Sequence, residues 1–212
     1  MLFKDRSEAG KKLAEKLAGH VRKGAVVLAV PRGGVAVGAE IARKLDLALD
    51  LIIPRKIGLP GDPEMAAGAV AQDGTVILNR RLLDILRVKE DDLEKIISDE
   101  IEEIKRRMLL YGGGGQQNYE GRQLIVVDDG IATGYTVQAA LRSVRNCRPG
   151  ELILAVPVAS REALNRLEGE ADRVVCLHVP DVFYAVGQFY ERFEQLEDDE
   201  VIGILKELKI KE

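Results

Sequence analysis

Apolar stretches recur along the chain and predict the strands of a buried sheet. Five such stretches, rich in β-branched residues, lie at residues 25–30, 49–54, 123–128, 152–158 and 173–178. Most are separated by segments with helical spacing. The first such segment, residues 35–45, carries one apolar face made of Ala36, Ala39, Ile41, Ala42 and Leu45. We therefore predict an α/β fold with a central, mainly parallel sheet of about five strands flanked by helices.

The longest gap between predicted strands, residues 57–121, breaks this alternation and predicts a small insertion. A turn signal at Asp73 and Gly74 predicts a hairpin over residues 68–78, and two helices follow, the second over residues 91–110. We expect the apolar stripe of the second helix to pack on this domain or on a second copy of the chain. The stripe consists of Leu93, Ile97, Ile101, Ile104 and Met108.

A run of four glycines, residues 112–115, follows this helix. Glycines lose much backbone entropy when they become ordered and have no side chain to pack, so we expect a mobile loop. A catalytic lid and an idle linker share this composition. Because the run leads almost directly into the third predicted strand, we favour the lid.

Composition narrows the class of protein. A formal net charge of −4 and an aromatic content of 4% argue against a general nucleic-acid surface. No apolar run reaches the length of a membrane span. Cys147 and Cys176 lie far apart, and no His or Cys group has the spacing of a metal site. We expect a single cytoplasmic domain over residues 1–212, ended by a cap segment over residues 179–212, with free thiols and no protein metal cluster.

The third predicted strand ends in two adjacent acids followed by a glycine-bracketed segment that opens a helix. Glycines at both ends of the segment can take backbone angles that a side chain would forbid, so its amides can fold around an anion. The helix N-terminus points at the same place. Adjacent carboxylates accept hydrogen bonds from vicinal hydroxyls. An isolated Asp-Asp-Gly is more often a solvated turn, but the whole stretch predicts a ribose-phosphate site. Its residues are Asp128, Asp129, Gly130, Ile131, Ala132, Thr133, Gly134 and Thr136.

Two further loops should meet this site, because ligands bind beyond the carboxyl ends of the strands of an open parallel sheet. The first strand leads into Arg32, Gly33 and Gly34, and the second into Arg55 and Lys56, which a loop over residues 57–64 follows. Each segment alone also fits an ordinary turn or a solvated basic strand end. Together, exposed amides and three cations predict a second anion site. The expected ligand is therefore a sugar that carries phosphate at both ends.

Aromatic residues are scarce, yet several lie after the fifth strand, at residues 183–190. Phe183 or Tyr184 could stack on a planar base. A hydrophobic clasp at the end of the domain explains the same spacing equally well.

The chain resembles the type I phosphoribosyltransferases, whose signature of two apolar residues followed by Asp-Asp-Gly-x-x-Thr-Gly-x-Thr is present at residues 126–136. It is similar in particular to a group of predicted phosphoribosyltransferases with a Pro-Arg-Gly-Gly loop and a Phe-Tyr-Ala-Val-Gly stretch, here at residues 31–34 and 183–187. This resemblance implies the type I phosphoribosyltransferase fold.

The resemblance also implies the roles of the candidate residues. Asp128 and Asp129 would hold the ribose hydroxyls, and residues 130–134 with Thr136 the 5-phosphate. Pyrophosphate would be held by Arg32, Gly33, Gly34, Arg55 and Lys56. Of these residues, Lys56, Arg55, Asp128 and Asp129 are the expected catalytic ones.

The expected enzyme transfers a 5-phosphoribosyl group from phosphoribosyl pyrophosphate to a nitrogenous base, as in nucleotide salvage, and acts as a homodimer. Mg²⁺ would be bound mainly through the substrate. The alternative is a non-catalytic sensor or regulator that binds phosphoribosyl pyrophosphate or a nucleotide. A dinucleotide-binding protein is disfavoured, because the glycines at residues 33–38 lack the required spacing.

Overall fold

The computed structural model describes residues 1–112 and 118–208. In chain order the helices are α1 (Arg6–Leu17), α2 (Gly33–Leu45), α3 (Arg80–Leu86), α4 (Glu94–Tyr111), α5 (Tyr135–Asn146), α6 (Arg161–Arg166) and α7 (Asp198–Leu208). The strands are β1 (Val26–Ala29), β2 (Ala48–Leu51), β3 (Arg55–Leu59), β4 (Asp62–Val70), β5 (Val76–Leu78), β6 (Gln123–Val127), β7 (Glu151–Val158) and β8 (Arg173–His178).

Five strands form a parallel sheet in the order β2-β1-β6-β7-β8. Alternate residues of each strand face opposite sides, so the apolar strands supply two cores. Val27 and Ala29 of β1 pack toward α1 and α2, whereas Val26 and Leu28 pack toward α5. The predicted α/β fold with a five-stranded parallel sheet is confirmed.

The segment between β2 and β6 holds a second, antiparallel sheet in the order β3-β4-β5. It packs on α5: Ala69, Ala71 and Ile77 form a buried cluster with Tyr135 and Ala139. The predicted hairpin at Asp73 and Gly74 is present as the β4–β5 turn, in which Gly74 has a φ of 85°.

Two sequence-based boundaries were wrong in this region. The second strand ends at Leu51 rather than at residue 54. Residues 57–64, expected to be a loop, belong to the β3–β4 hairpin, whose turn contains Gly61 at a φ of 84°. Arg55 and Lys56 therefore begin a strand of the second sheet. Short β-runs with few β-branched residues, such as β3, carry little sequence signal.

Helix α4 shields its apolar stripe within the chain. Leu93 and Ile104 are buried, and Ile97, Ile101 and Met108 pack partly buried against the same core. The helix ends at Tyr111, and its C-cap, Gly112, has a φ of 57°. The predicted glycine lid lies, apart from Gly112, outside the described residues.

Both cysteines are free thiols. Within the described parts of the chain, no helix is long and apolar enough to cross a bilayer.

Candidate functional site

Asp128 and Asp129, the acid pair, follow the end of β6 at the centre of the parallel sheet. The Asp128 Oδ1 atom accepts a hydrogen bond from the Asp129 amide at 2.8 Å. This local turn brings two consecutive carboxylates, which would alternate in a regular strand, to one edge of the sheet.

Arg6, at the start of α1, forms an ion pair with Asp129 that no sequence pattern predicts. Its Nε lies 2.7 Å from Asp129 Oδ2, and the two side chains are only 11% and 13% exposed. The guanidinium also lies 3.9 Å from the centre of the Phe193 ring and donates to the Glu194 carbonyl at 2.6 Å. The local sequence around an arginine in the first turn of a helix does not show whether its side chain is buried in an ion pair or solvated.

Burial controls the protonation of the acid pair. It raises the pKa of Asp128 well above the ordinary carboxyl value, and the neighbouring Asp129 carboxylate raises it further. Burial also raises the pKa of Asp129, but there Arg6 opposes it. Asp129 is therefore the carboxylate with a fixed positive partner, and Asp128 is the one with the stronger tendency to hold a proton.

Residues 31–34, which we call the first loop, lie directly against the acid pair. The helix that was predicted from residue 35 begins two residues earlier, so Gly33 and Gly34 form the first turn of α2. A Cβ added at Gly33 would stand 1.9 Å from Asp129 Oδ2, and one at Gly34 would stand 2.7 Å from the Val127 carbonyl oxygen. The peptide bond between Pro31 and Arg32 is cis. Any side chain at Gly33 would displace the Asp129 carboxylate, so this close approach requires glycine. The structure thus brings the first loop and the acid pair together.

Residues 130–134, the glycine loop, are held on one side by Ser160, which precedes α6, and by Arg166 at the end of α6. The Ile131 carbonyl accepts from the Ser160 amide at 2.9 Å, and the Ala132 carbonyl accepts from Ser160 Oγ at 2.6 Å. The Thr133 carbonyl accepts from Arg166 Nε at 2.9 Å. Three successive carbonyls therefore point toward the same part of the chain.

The amides of this loop point the opposite way. In a trans peptide the N–H of one residue is antiparallel to the C=O of the residue before it. These three peptide bonds are trans, since the cis bond among the described residues is Pro31–Arg32. The amides of Ala132, Thr133 and Gly134 are thus directed away from α6. Ala132 and Thr133 are exposed.

Helix α5 begins where this loop ends. Gly134, its N-cap, has a φ of 86°, a left-handed conformation that favours glycine. Gln138 donates to the Gly134 carbonyl at 2.8 Å and closes the first turn. Amides N-terminal to Gln138 have no acceptor within the helix. Thr136, in the same turn, adds a half-buried hydroxyl. Amides that point away from α6 and lead into a helix N-terminus are an arrangement suited to an anion.

Gly130 is needed for a different reason from the one expected. The sequence suggested a special backbone angle, but Gly130 is not among the described glycines with positive φ. Instead, an added Cβ would stand 2.5 Å from Val186 Cγ1. The C-terminal segment thus packs on the glycine loop, a contact that local sequence does not show.

The three predicted cations are each paired with a carboxylate. Arg32 lies 3.7 Å from Asp198 Oδ1 at the start of α7. Arg55 Nε lies 2.7 Å from Glu100 on α4, and Lys56 Nζ lies 3.3 Å from Glu64.

Arg55 and Lys56 line a cavity of about 350 Å³ between the β3–β4 hairpin and α4. These two cations belong to the second sheet, whereas Arg32 belongs to the first loop. An anion that binds any of the three must compete with its carboxylate partner.

Residues 183–193 border the acid pair from the C-terminal side. Tyr190 Oη donates to the Asp129 carbonyl at 2.6 Å, and burial raises the pKa of this phenol, which keeps it protonated. Phe183 packs against Phe189, with ring centres 5.1 Å apart. Tyr184 is 87% exposed. Tyr184 is thus free to meet a ligand, whereas Phe183 already packs in a core cluster; base binding by either stays a prediction.

Sequence reasoning missed Arg6, Ser160 and Arg166, and it included Tyr190 in the aromatic stretch at residues 183–190 without predicting its bond to Asp129. Only Ser160 carried a usable signal, since a serine before a helix is typical of an N-cap. Across the described residues, no cluster of three or more His, Cys, Asp or Glu side chains is arranged to hold a metal ion.

Comparison with known proteins identifies the family of this chain. Residues 4–194 match the model of the phosphoribosyl transferase domain. Two curated Mycobacterium tuberculosis proteins, from strains CDC 1551 and H37Rv, are each 40% identical over 205 residues. Both are named "Putative phosphoribosyl transferase". The match covers 96% of this chain and 46% of each relative, so the chain spans about half the length of these relatives.

Among solved structures, TT1426 from Thermus thermophilus is 40% identical, with a TM-score of 0.82 over 99% of this chain and 100% of that one. A protein from Neisseria gonorrhoeae with bound ppGpp is 14% identical and has a TM-score of 0.51 over 98% and 94% of the two chains. At that identity the likeness concerns the fold alone. By sequence match and by fold, this chain belongs to the phosphoribosyl transferase domain family.

Proposed function

We propose that this chain is an enzyme that transfers a 5-phosphoribosyl group from phosphoribosyl pyrophosphate to a nitrogenous base. The observation that carries the proposal is the meeting of three groups at one sheet edge. Gly33 touches Asp129, and the outward amides of the glycine loop follow directly after Asp129. The carboxylates of the acid pair, which can accept hydrogen bonds from sugar hydroxyls, thus lie between the first loop and the glycine loop, which are both suited to anions. A sugar with phosphate at both ends requires this order of groups.

Each candidate group has a defined task in this proposal. The carboxylates of Asp128 and Asp129 accept hydrogen bonds from the ribose hydroxyls. Asp129 has room to do so, because an ionised carboxylate has about four acceptor positions and Arg6 and the substrate can share them. The amides of residues 132–134, with the hydroxyls of Thr133 and Thr136, hold the 5-phosphate.

The leaving group is held by the first loop and the paired cations. Arg32, Arg55 and Lys56 exchange their carboxylate partners for pyrophosphate oxygens as the substrate binds. The base nitrogen forms a bond to the ribose C1, and any proton that this nitrogen carried passes to solvent. The bond from C1 to pyrophosphate oxygen breaks, and its electron pair leaves with pyrophosphate. Positive charge that develops on the ribose ring is stabilised by the nearby carboxylates.

Mg²⁺ fits this arrangement as a companion of the substrate. Hard cations prefer oxygen ligands, which pyrophosphate and the carboxylates of Asp128 and Asp129 both offer. When bound, the ion would neutralise charge on pyrophosphate. The chain's own residues orient the substrate, accept hydrogen bonds from its hydroxyls and donate hydrogen bonds to its phosphates.

The decisive experiment combines phosphoribosyl pyrophosphate, Mg²⁺ and one candidate base at a time, and follows pyrophosphate release. We expect release with one base, and a fall of at least about tenfold in Asp129→Asn and in Lys56→Ala. Lys95→Ala and Asp99→Asn are matched controls, because these residues form an exposed pair on α4. They should retain the wild-type rate.

Two results would contradict the proposed enzyme. Calorimetric binding of phosphoribosyl pyrophosphate without release in the presence of any base would identify a sensor instead. Full activity in both Asp129→Asn and Lys56→Ala would show that the assigned residues do not form the active site.

A further inference from the structure

Ser160 does two things at the corner between β7 and α6. Its Oγ accepts from the Ala163 amide at 2.9 Å, which caps α6, and donates to the Ala132 carbonyl at 2.6 Å. A hydroxyl can do both, because it has one donor hydrogen and two acceptor positions. The start of α6 and the glycine loop are therefore connected through one side chain.

Arg166, at the end of α6, holds the next carbonyl of the loop. Its Nε donates to the Thr133 carbonyl at 2.9 Å, and its guanidinium lies 3.9 Å from the centre of the Tyr135 ring. Tyr135 is itself buried between α5 and the second sheet. The guanidinium is thus fixed by a ring that cannot move freely, and it fixes the peptide between Thr133 and Gly134.

These two side chains set the direction of the loop amides. The Ile131 carbonyl is held by a main-chain bond to the Ser160 amide, which no side-chain substitution removes. The peptides that follow Ala132 and Thr133 are oriented by Ser160 Oγ and Arg166 Nε. Without these donors, the two carbonyls can turn toward the open site, where water offers hydrogen bonds. A carbonyl oxygen would then face the anion in place of an amide.

We propose that Ser160 and Arg166 are positioning residues that orient the peptides of residues 132–134, so that their amides converge on the 5-phosphate of the substrate. This inference rests on the proposed function. Neither side chain needs to touch the substrate, and both lie outside the Asp-Asp-Gly stretch that identifies the site.

Calorimetry with two probes, ribose 5-phosphate and pyrophosphate, tests the inference. Arg166→Met keeps an unbranched side chain against Tyr135 but removes the donors, and Ser160→Ala removes the hydroxyl. In each variant we expect the affinity for ribose 5-phosphate to fall about tenfold or more, while the affinity for pyrophosphate changes less than about twofold. Ser160→Thr should restore ribose 5-phosphate binding because it restores the hydroxyl.

Glu162→Gln is the matched control. Glu162 is the exposed ion-pair partner of Arg166 at 3.4 Å and has no bond to the glycine loop. This variant should bind both probes as the wild type does. Equal loss of both probes in Arg166→Met and Ser160→Ala, or wild-type binding of ribose 5-phosphate in both, would overturn the inference.

Amide NMR separates this inference from the proposed function. Inorganic phosphate should shift the amide signals of residues 132–134 in the wild type and leave them unchanged in Arg166→Met. That result supports the positioning role even if no base yields pyrophosphate release. If phosphate leaves the wild-type amides unchanged, the positioning role is wrong, whatever the activity of the protein.

Discussion

Arg6 and Asp129 are 123 positions apart in the chain, yet Arg6 Nε lies 2.7 Å from Asp129 Oδ2. The pair joins the first helix to the acid pair that the proposed reaction uses to hold ribose. Because both side chains are nearly buried, the carboxylate depends on this one guanidinium for its charge balance.

Arg6→Met is therefore expected to destabilise the protein strongly. Removing one partner of a buried ion pair leaves the other charge uncompensated, which costs on the order of 3 kcal/mol. Denaturant unfolding at pH 7 measures the loss. The difference from the wild type should shrink in acid, because protonation of Asp129 removes the unpaired charge.

Lys44→Met is the control for this change, since Lys44 forms an exposed ion pair with Glu15. It should cost less than about 1 kcal/mol. Equal unfolding midpoints for Arg6→Met and the wild type would show that the buried pair does not stabilise the fold.

Asp128→Asn is expected to stabilise the protein at neutral pH. Burial raises the pKa of Asp128, so between the ordinary carboxyl value and the raised one the folded chain binds more protons than the unfolded chain. The free energy of unfolding therefore falls as the pH rises through this window. The amide has no proton to lose, and its oxygen can still accept from the Asp129 amide.

Thermal unfolding at pH 4 to 8 measures this pH dependence. The gain in stability of Asp128→Asn over the wild type should be largest at pH 8 and disappear near pH 4. Asp172→Asn should behave oppositely, because the hydrogen bond from Arg145 lowers the pKa of Asp172 and the native charge is stabilising. A wild type that is more stable than Asp128→Asn at pH 8 would contradict the assignment.

Gly33→Ala should disturb the acid pair by a steric clash, without any change in charge. The new methyl group would stand 1.9 Å from Asp129 Oδ2, and relieving that clash by moving the carboxylate or the first loop costs about 1–3 kcal/mol. Binding of phosphoribosyl pyrophosphate, measured by calorimetry, should weaken at least about tenfold.

Gly203→Ala provides the comparison for this substitution. Gly203 lies inside α7, and a Cβ there would meet no atom within 4 Å. Alanine at this helical position should stabilise the protein by about 0.5–1 kcal/mol and leave binding unchanged. If Gly33→Ala behaves like Gly203→Ala, the first loop does not lie against Asp129 in solution.

Asp198→Asn should strengthen pyrophosphate binding. Asp198 Oδ1 lies 3.7 Å from Arg32 and also accepts from Tyr111 Oη at 2.6 Å, so it competes with an anionic ligand for the guanidinium. A partly exposed ion pair is worth up to about 1 kcal/mol, so the affinity should rise by up to about fivefold. Calorimetric titration with pyrophosphate measures the change.

Asp199→Asn makes the same change in net charge one residue away and should raise the affinity much less. A second readout is the phenol of Tyr111, whose pKa is raised to about 12 by burial and by Asp198. Absorbance titration of Asp198→Asn should show this pKa lowered. Equal gains in pyrophosphate affinity in the two variants would indicate a general charge effect instead of competition at Arg32.

Local sequence patterns were sufficient to predict the parallel sheet, the approximate positions of its strands and the position of the acid pair at the end of one of them. The patterns are apolar runs, helical spacing, and an acid pair followed by a glycine-bracketed turn. The antiparallel sheet of β3, β4 and β5 was only partly predictable, since β3 is short and its pairing depends on the packing of β4 against α5.

The distant side chains that contact the candidate site became visible only in the folded chain. Arg6, Tyr190, Ser160 and Arg166 reach the acid pair and the glycine loop from three separate parts of the chain. The same holds for the carboxylates that pair with Arg32, Arg55 and Lys56. Such contacts arise when helices pack on a sheet, and a single charged or hydroxyl residue looks the same in sequence whether it ends in water or beside a buried carboxylate.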